Sequence, residues 1–147
     1  MAIGIRTFFQ KIADTVFTSS ATFATVGLES AIAAGQTQKL RYWIPFSVGA
    51  TGGVRARLDG PGGATVVISS MVLYNTVAPS ITTATQTALG SALTNALANA
   101  GTHWLEINAT VVNGAAAGTV VLEMAQNTVD VLSLTVLRGG TLEVIKS

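Results

Sequence analysis

The chain has 147 residues, of which 49% are hydrophobic and only 10% are charged, and it has no cysteine and a formal net charge of +1. This length fits one domain, and the lack of cysteine excludes both a disulfide scaffold and a thiolate metal site. Acids and bases nearly balance and are scattered in ones and twos, which argues against nucleic-acid binding, and no apolar run approaches the roughly 18 residues of a membrane span.

The low charge bears on the surface of the folded domain. In ordinary soluble domains about a quarter of the residues are charged. Too few charged side chains remain here to cover the surface of a solitary monomer. We therefore expect part of the surface to be covered by another protein, either a second copy of the chain or a different subunit of an assembly.

The first 33 residues combine two patterns. Apolar residues fall at helical spacing at Ile5, Phe8, Phe9, Ile12 and Val16. In contrast, residues 15–25 are rich in Thr, Ser, Val and Phe, which favours strands. We interpret residues 1–14 as an extended N-terminal arm and residues 15–33 as two short strands, with a helical arm as the alternative. An arm carrying Phe8 and Phe9 would be able to order on a neighbouring subunit.

From Gln38 onward most of the chain alternates apolar and polar residues with period two, between short interruptions of Gly, Asn, Asp or Pro. This alternation predicts the strands of a sandwich or barrel. In residues 39–46 one face carries Leu40, Tyr42, Ile44 and Phe46, and the other carries Lys39, Arg41, Trp43 and Pro45. The apolar face is predicted to be core. Because Pro45 has no N–H to donate, this end of the strand is predicted to lie at an edge or bulge.

The next strands are separated by glycine-rich turns. After the turn at 49–53, residues Val54, Ala56 and Leu58 are predicted to point inward, and Arg55, Arg57 and Asp59 outward. The segment 59–63 reads Asp-Gly-Pro-Gly-Gly and is the strongest turn signal. Neither glycine-rich segment continues into Gly-Lys-Ser/Thr or into a helix, so we interpret both as turns rather than phosphate sites. One bent strand is predicted over 65–74.

The second half of the chain continues the strand pattern. Between residues 77 and 100, leucines at every fourth position are compatible with a helical turn, but Thr-rich flanks and Gly90 favour a surface excursion between strands. Residues 103–113 alternate again. Asn113-Gly114 predicts a hairpin into residues 120–124, because Asn-Gly suits turns with positive φ. Final strands are predicted over 129–137 and 141–145.

Residues able to carry catalysis are few. His103 is the only histidine, no Gly-x-Ser-x-Gly segment is present, and we interpret His103 as a strand-end residue at the rim. Glu106 and Glu123 lie on adjacent predicted strands, where they are expected to be offset, or paired with Arg55, Arg57 or Arg138, rather than to act as a catalytic pair. We expect no enzymatic activity, no metal site and no cofactor.

Two interpretations of the aromatic residues remain open. Trp43, Trp104, Tyr42 and Tyr74, with Arg41 and Arg57, would be able to form a platform for sugar or nucleic acid by stacking. The preferred interpretation places one tryptophan in the core and the other at a subunit interface. The candidate protein-interface residues are Phe8, Phe9, Arg41, Trp43, Arg55, Arg57 and Trp104.

Several turn and strand segments, in this order, carry a resemblance to a protein class. They are Arg41-Tyr-Trp-Ile-Pro-Phe46, Leu58-Asp-Gly-Pro61, Val111-Val-Asn-Gly114, Met124-Ala-Gln126 and Val136-Leu-Arg-Gly-Gly-Thr-Leu-Glu-Val144. The chain resembles small structural proteins of tailed bacteriophages, which occur as head decoration (cement) proteins or as tail and fibre modules. The resemblance implies an all-β fold, a jelly-roll-like antiparallel β-sandwich over residues 15–147 with a short extended N-terminal arm. It also implies many copies per virion and no enzymatic activity.

The leading functional hypothesis is capsid decoration, in which the protein stabilises the head by binding between major capsid proteins. Its partners would be itself, as a trimer before a dimer, and the major capsid protein, with no nucleic acid and no membrane. We expect it on the outer surface of the virion head, and in the host cytoplasm before assembly, because its start lacks the features of a secretory signal. The alternative is a tail, fibre or baseplate module that binds host-surface glycan or other tail proteins.

Overall fold

The computed structural model of the chain describes residues 4–49, 51–78, 80–95 and 100–147. Across these ranges the chain forms strands and turns and no helix. The described residues therefore contain no helix that could span a membrane. The strands are β1 (Ile5–Gln10), β2 (Thr15–Phe17), β3 (Ala24–Ile32), β4 (Thr37–Val48), β5 (Val54–Asp59), β6 (Thr65–Asn75), β7 (Ser80–Thr85), β8 (Leu93–Asn95), β9 (Gly101–Val112), β10 (Gly118–Ala125), β11 (Leu134–Val136) and β12 (Thr141–Lys146).

These strands form two antiparallel sheets. The large sheet has the order β1-β12-β4-β9-β6-β7. The short strand β11 pairs with β4 on the same side as β12, and its other edge pairs with β2. The small sheet has the order β3-β10-β5-β8. The predicted all-β, antiparallel sandwich is confirmed.

The connectivity of eight of these strands is that of a jelly roll. The hairpin β6–β7 is an insertion, and β2 and β11 are short additions. The remaining strands pair as nested antiparallel partners: β1 with β12, β3 with β10, β4 with β9, and β5 with β8. Folding such a set of nested pairs in two layers produces the double Greek key of a jelly roll. The large sheet then contains β1-β12-β4-β9 and the small sheet β3-β10-β5-β8.

The core lies between the two inner faces, as the alternation predicts. On β4, Leu40, Tyr42, Ile44 and Phe46 are all buried, and the inward residues of β5 and β9 alternate with half-buried outward residues. The largest fully buried side chains are Tyr42, Phe46, Leu28, Ile32, Ile44, Leu58, Met71, Leu73, Leu105, Ile107, Leu122 and Met124. Each comes from a strand that has the two-residue period, so burial of apolar surface selects this register.

The N-terminal segment is extended as predicted, but it is not a detached arm. Strand β1 pairs with β12 from Ile5 opposite Lys146 to Gln10 opposite Thr141, and it is the first strand of the jelly roll. The helical alternative is wrong for residues 5–10. The unpaired edge of β12 offers backbone donors and acceptors that an extended segment satisfies and an amphipathic helix would not.

Pro45 is not at a sheet edge, contrary to prediction. Strand β4 has β9 on one side along its whole length. On the other side its partner changes from β12, which ends opposite Trp43, to β11, which begins opposite Phe46. Pro45 faces this gap, and its carbonyl accepts a hydrogen bond from the Leu137 N–H at 2.9 Å. A missing donor is tolerated in the interior of the sheet because the neighbouring strand is interrupted there.

Three other segments differ from prediction. The hairpin predicted at Asn113-Gly114 is wrong, because β9 lies in the large sheet and β10 in the small sheet. The excursion at 77–100 contains β7 and β8 and no helical turn in its described part, and Leu97 lies outside the described residues. The strand predicted over 129–137 is limited to β11, because residues 127–133 form a loop. The bent strand over 65–74 is confirmed as β6, whose pairing with β9 shifts between Val66 and Ile68.

Candidate functional site

The side of the large sheet that faces away from the small sheet is called the outer face here. Its side chains stand in register rows across the strands. One row runs from Phe8 through Glu143 and Arg41 to Asn108, and a parallel row pairs Pro45 with Trp104 and Tyr74. Between these rows Trp43 lies opposite Glu106. Four of the predicted interface residues, Phe8, Arg41, Trp43 and Trp104, therefore share one face.

Three aromatic rings on the outer face form a cluster. The ring centroid of Trp43 lies 5.3 Å from that of Trp104 and 5.9 Å from that of Tyr74. Trp43 is 39% exposed, and Trp104 and Tyr74 are half-buried. Neither tryptophan is in the core, which corrects the preferred sequence interpretation, whereas Tyr42 is fully buried on the inner side of β4. The rings occupy outward positions because β4 and β9 alternate, and their mutual contacts hold them in place.

A chain of hydrogen bonds and ion pairs crosses the outer face beside the rings. Arg6 Nε lies 2.9 Å from Glu143 Oε1, and Arg41 Nη1 lies 3.9 Å from the other oxygen of Glu143. Arg41 Nε donates to Asn108 at 3.0 Å, and the Asn108 amide donates to Glu106 at 2.9 Å. The described residues thus connect four neighbouring strands, from β1 to β9, through polar side chains.

This chain ends on the aromatic cluster, where the Tyr74 hydroxyl donates to Glu106 at 3.2 Å. Partial desolvation, then the hydrogen bond to Glu106 and its negative charge, raise the pKa of Tyr74 above its ordinary value. Tyr74 is therefore a neutral hydrogen-bond donor at physiological pH. Its bond to Glu106 orients both groups beneath the exposed ring of Trp43.

A groove lies on the outer face next to the aromatic cluster. It encloses about 340 Å³, and its charged lining consists of Arg6, Lys39, Arg41 and Glu143. Lys39 and Arg41 are exposed, and the Lys39 side chain has no hydrogen bond or ion pair to any of the described residues. Three cations against one anion give this groove a positive potential.

Arg55 and Arg57 lie on the outer side of the small sheet, away from the tryptophans. Arg57 Nη2 forms an ion pair with Glu123 at 2.7 Å, as one of the sequence alternatives predicts. The guanidinium groups of Arg55 and Arg57 lie over the ring of Phe23, at 4.8 and 4.2 Å from its centroid, and Arg55 also donates to the Ala21 carbonyl. These contacts hold the segment before β3 against β5, so both arginines have structural partners.

The two phenylalanines of β1 point to opposite sides of the sheet. Phe8 is 67% exposed beside Glu143 on the outer face, and Phe9 is 39% exposed on the inner side. Phe9 lines a cleft of about 430 Å³ between β1 and the edge strand β3 of the small sheet, with Leu28 and Lys146. Phe8 points away from the small sheet and Phe9 is partly exposed in this cleft, so neither ring is buried in the core.

Besides the exposed residues of β1, the loop at 127–132 forms an apolar surface, which the sequence interpretation missed. Val129, Val131 and Leu132 are 58, 82 and 55% exposed. The loop is held by the buried amide of Gln126, which donates to the carbonyls of Asp130 at 3.1 Å and Leu132 at 2.7 Å. Hydrogen bonds from Thr51 and from the loop backbone lower the pKa of Asp130, so its carboxylate stays charged and keeps the loop closed.

The catalytic candidates considered from the sequence, His103, Glu106 and Glu123, lie apart from the predicted arrangements. His103 is fully buried rather than at the rim, with its ring centroid 5.7 Å from that of Phe46. Glu106 is on the large sheet and Glu123 on the small sheet, so they do not face each other. Within the described ranges no group of three or more acidic or His side chains is placed to hold a metal ion.

No protein-family model matches the chain, and no curated protein matches it. Among solved structures it is similar to three from infectious bursal disease virus. The Gt strain structure has 11% identity and a TM-score of 0.27 over 97% of this chain and 42% of that one. The VP2 subviral particle has 10% identity and a TM-score of 0.27, and the Gx strain 10% and 0.26, each over 97% of this chain and 40% of that one. The chain spans about two-fifths of their length, and likeness at this level supports no inference about function.

Proposed function

We propose that the chain is a structural subunit of a virus particle, and that it acts as a decoration protein which binds between major capsid proteins on the bacteriophage head. The observation that carries the proposal is the exposed apolar surface on β1 and on the 127–132 loop. Ile5 and Phe8 on β1, and Val131 on the loop, are each at least two-thirds exposed. Side chains of this kind are depleted from the surfaces of solitary soluble proteins and enriched where subunits meet.

The open edge of β1 supports the same proposal. The backbone groups on the side of β1 away from β12 have no strand partner among the described residues. Solitary proteins protect such edges with charges, proline or bulges. Strand β1 has one charged residue, Arg6, and Arg6 is bound to Glu143 on the neighbouring strand. An edge of this composition suits addition of a strand or loop from another subunit.

The binding free energy available from these apolar side chains fits a protein that assembles in many copies per particle. Burying one large apolar side chain contributes about 1.5–3 kcal/mol. A few such side chains per copy give a modest contact, which the symmetry of a shell multiplies. We propose self-association as a trimer, and docking at seams of the capsid lattice on the outer surface of the head.

Copy number in purified particles tests this proposal. Particles produced by the organism that encodes the chain are purified, and the chain is quantified by mass spectrometry against the most abundant shell protein. We expect hundreds of copies per particle. Absence of the chain from purified particles would contradict a virion role, and a few to a few dozen copies would contradict head decoration.

The outer face favours a second candidate, a tail, fibre or baseplate module that binds host-surface glycan. Trp43 is exposed, is backed by two further rings, and lies beside a groove with polar side chains. Sugar-binding surfaces combine an aromatic ring with a few positioned hydrogen-bonding groups. The low copy number that contradicts head decoration is the result that this candidate predicts.

A further inference from the structure

We infer that the outer face binds an acidic oligosaccharide, with a sugar ring against Trp43 and an anionic substituent at Lys39 and Arg41. This inference rests on the second candidate function and names its ligand class and its binding residues. Three observations carry it: a rigid exposed ring, cations with free donors, and their alignment on one strand.

The ring of Trp43 is exposed and immobilised. Trp104 and Tyr74 pack against it at centroid distances of 5.3 and 5.9 Å, and Tyr74 is itself fixed by its bond to Glu106. A ring held by neighbours loses little conformational entropy when a ligand covers it. The C–H face of a pyranose is an apolar surface that matches an exposed indole, whereas its hydroxyl groups need polar partners at the margin of the ring.

Those polar partners lie next to Trp43. Glu106 is opposite Trp43 on β9, and Asn108 is the next outward residue along β9. Both are half-buried and linked by a hydrogen bond of 2.9 Å, so their remaining donor and acceptor positions have fixed directions. Sugar hydroxyl groups can donate to the carboxylate and accept from the amide.

The charge of the groove selects an acidic ligand over a neutral one. Lys39 has no ion pair within the described part of the chain, and Arg41 is 66% exposed with its nearest carboxylate oxygen at 3.9 Å. Both therefore retain donors that a ligand carboxylate, sulfate or phosphate can bind. Glu143 pairs more closely with Arg6, at 2.9 Å, than with Arg41, at 3.9 Å, and Lys39 has no carboxylate partner among the described residues.

The spacing along β4 indicates an oligosaccharide rather than a single sugar. Lys39, Arg41 and Trp43 are successive outward residues of one strand. Outward positions are about 6.6 Å apart, so the ring and the outermost cation are separated by roughly 13 Å. A ligand of two or more sugar units reaches both ends. Nucleic acid fits less well, because Glu106 lies opposite Trp43 and Glu143 lies opposite Arg41, where their carboxylates would repel successive phosphates.

Binding by the isolated protein tests the inference. The purified full chain is titrated with a heparin octasaccharide, a hyaluronan octasaccharide and neutral maltooctaose, and binding is followed by isothermal titration calorimetry and tryptophan fluorescence. We expect binding to at least one acidic probe, at least ten-fold weaker binding of maltooctaose, and weaker binding at high salt. No binding to either acidic probe, or equal binding of the neutral one, would overturn the inference.

Variants locate the site. Trp43→Ala, and separately the Lys39→Gln, Arg41→Gln double variant, should each weaken binding of the acidic probe at least ten-fold. Lys146→Gln removes one charge on the opposite side of the same sheet and should bind like wild type. Equal loss in Lys146→Gln, or tight binding of a single-stranded DNA octamer, would show a general polyanion effect and refute the site. Circular dichroism checks that every variant is folded.

The outcome is separable from that of the virion proposal. A chain that is present in particles but binds neither acidic probe would refute the oligosaccharide inference alone. A chain that binds the probe but is absent from purified particles would refute the virion proposal alone.

Discussion

At the scale of single residues, Tyr42 shows how the core tolerates an unsatisfied polar group. Tyr42 is fully buried on β4, and its hydroxyl has no hydrogen-bond partner among the described residues. Burial, followed by the negative charge of Glu29, raises the pKa of Tyr42 well above its ordinary value. The folded state therefore holds the phenol proton more strongly than the unfolded state does.

Tyr42→Phe removes the unsatisfied hydroxyl and keeps the ring. We expect the free energy of unfolding at pH 7 to stay within about 1 kcal/mol of wild type or to increase, because an unpaired buried hydroxyl is unfavourable. Since the folded-state pKa is raised, stability is complete below the unfolded pKa of about 10 and falls as pH rises above it. Urea unfolding at pH 7 and at pH 10.5 measures this fall. The free energy of unfolding should decrease less between the two pH values in the variant than in the wild type. A loss of stability above 2 kcal/mol at pH 7 would show that the Tyr42 hydroxyl has a stabilising partner.

On the central strands, the inward or outward direction of a side chain could be predicted from the two-residue alternation alone. The outward residues of β4 include Lys39, Arg41 and Trp43, and those of β9 include Trp104, Glu106 and Asn108. The alternation therefore predicts that both tryptophans point outward. The interpretation that placed one tryptophan in the core relied on residue type instead of the alternation. His103 is an inward residue, and the alternation predicts its burial better than its position at a strand end does.

At the scale of elements, β1 is the part of the fold that the sequence did not reveal. A strand at the edge of a sheet that extends past the opposite sheet has little buried surface on either side, and five of the six residues of β1 are exposed. Without a buried face there is no selection for alternation, so the period-two signal is absent. The loop at 127–132 escaped prediction for another reason, because its backbone is held by the side chains of Gln126 and Asp130 rather than by a turn sequence.

Removing β1 tests its role as a structural element. Deletion of residues 2–10 removes six cross-strand pairs, each worth about 0.2–1 kcal/mol, and leaves the edge of β12 unpaired. We expect the free energy of unfolding to fall by about 1–6 kcal/mol in urea titrations. Deletion of residues 2–4, which precede β1, should leave it unchanged. Equal stability of both deletions would support a detached arm instead.

Lys11 should be kept in that truncation. Its side chain is buried and its ammonium donates to the Val26 carbonyl at 2.7 Å and to Thr15. Deletion through residue 11 would leave that carbonyl without its donor, so a further loss of stability would reflect Lys11 rather than β1.

At the scale of the whole molecule, the protein has two kinds of surface. The β1 edge and the 127–132 loop are apolar, whereas the outer face is charged and aromatic. The nested strand pairs enclose the apolar core between the two sheets. The β1 edge and the 127–132 loop expose apolar groups that a partner protein would cover, and the outer face offers charged and aromatic groups that suit a polar ligand. A jelly roll by itself implies neither role, and the proposed roles are therefore inferred from these surfaces.

The most direct test is an electron cryo-microscopy reconstruction of the particle at side-chain resolution. We expect symmetric copies of this jelly roll on the outside of the head, with Phe8 of β1 and Val131 of the loop buried against neighbouring subunits. A map in which the chain is missing, or in which both side chains remain in solvent, would contradict this expectation.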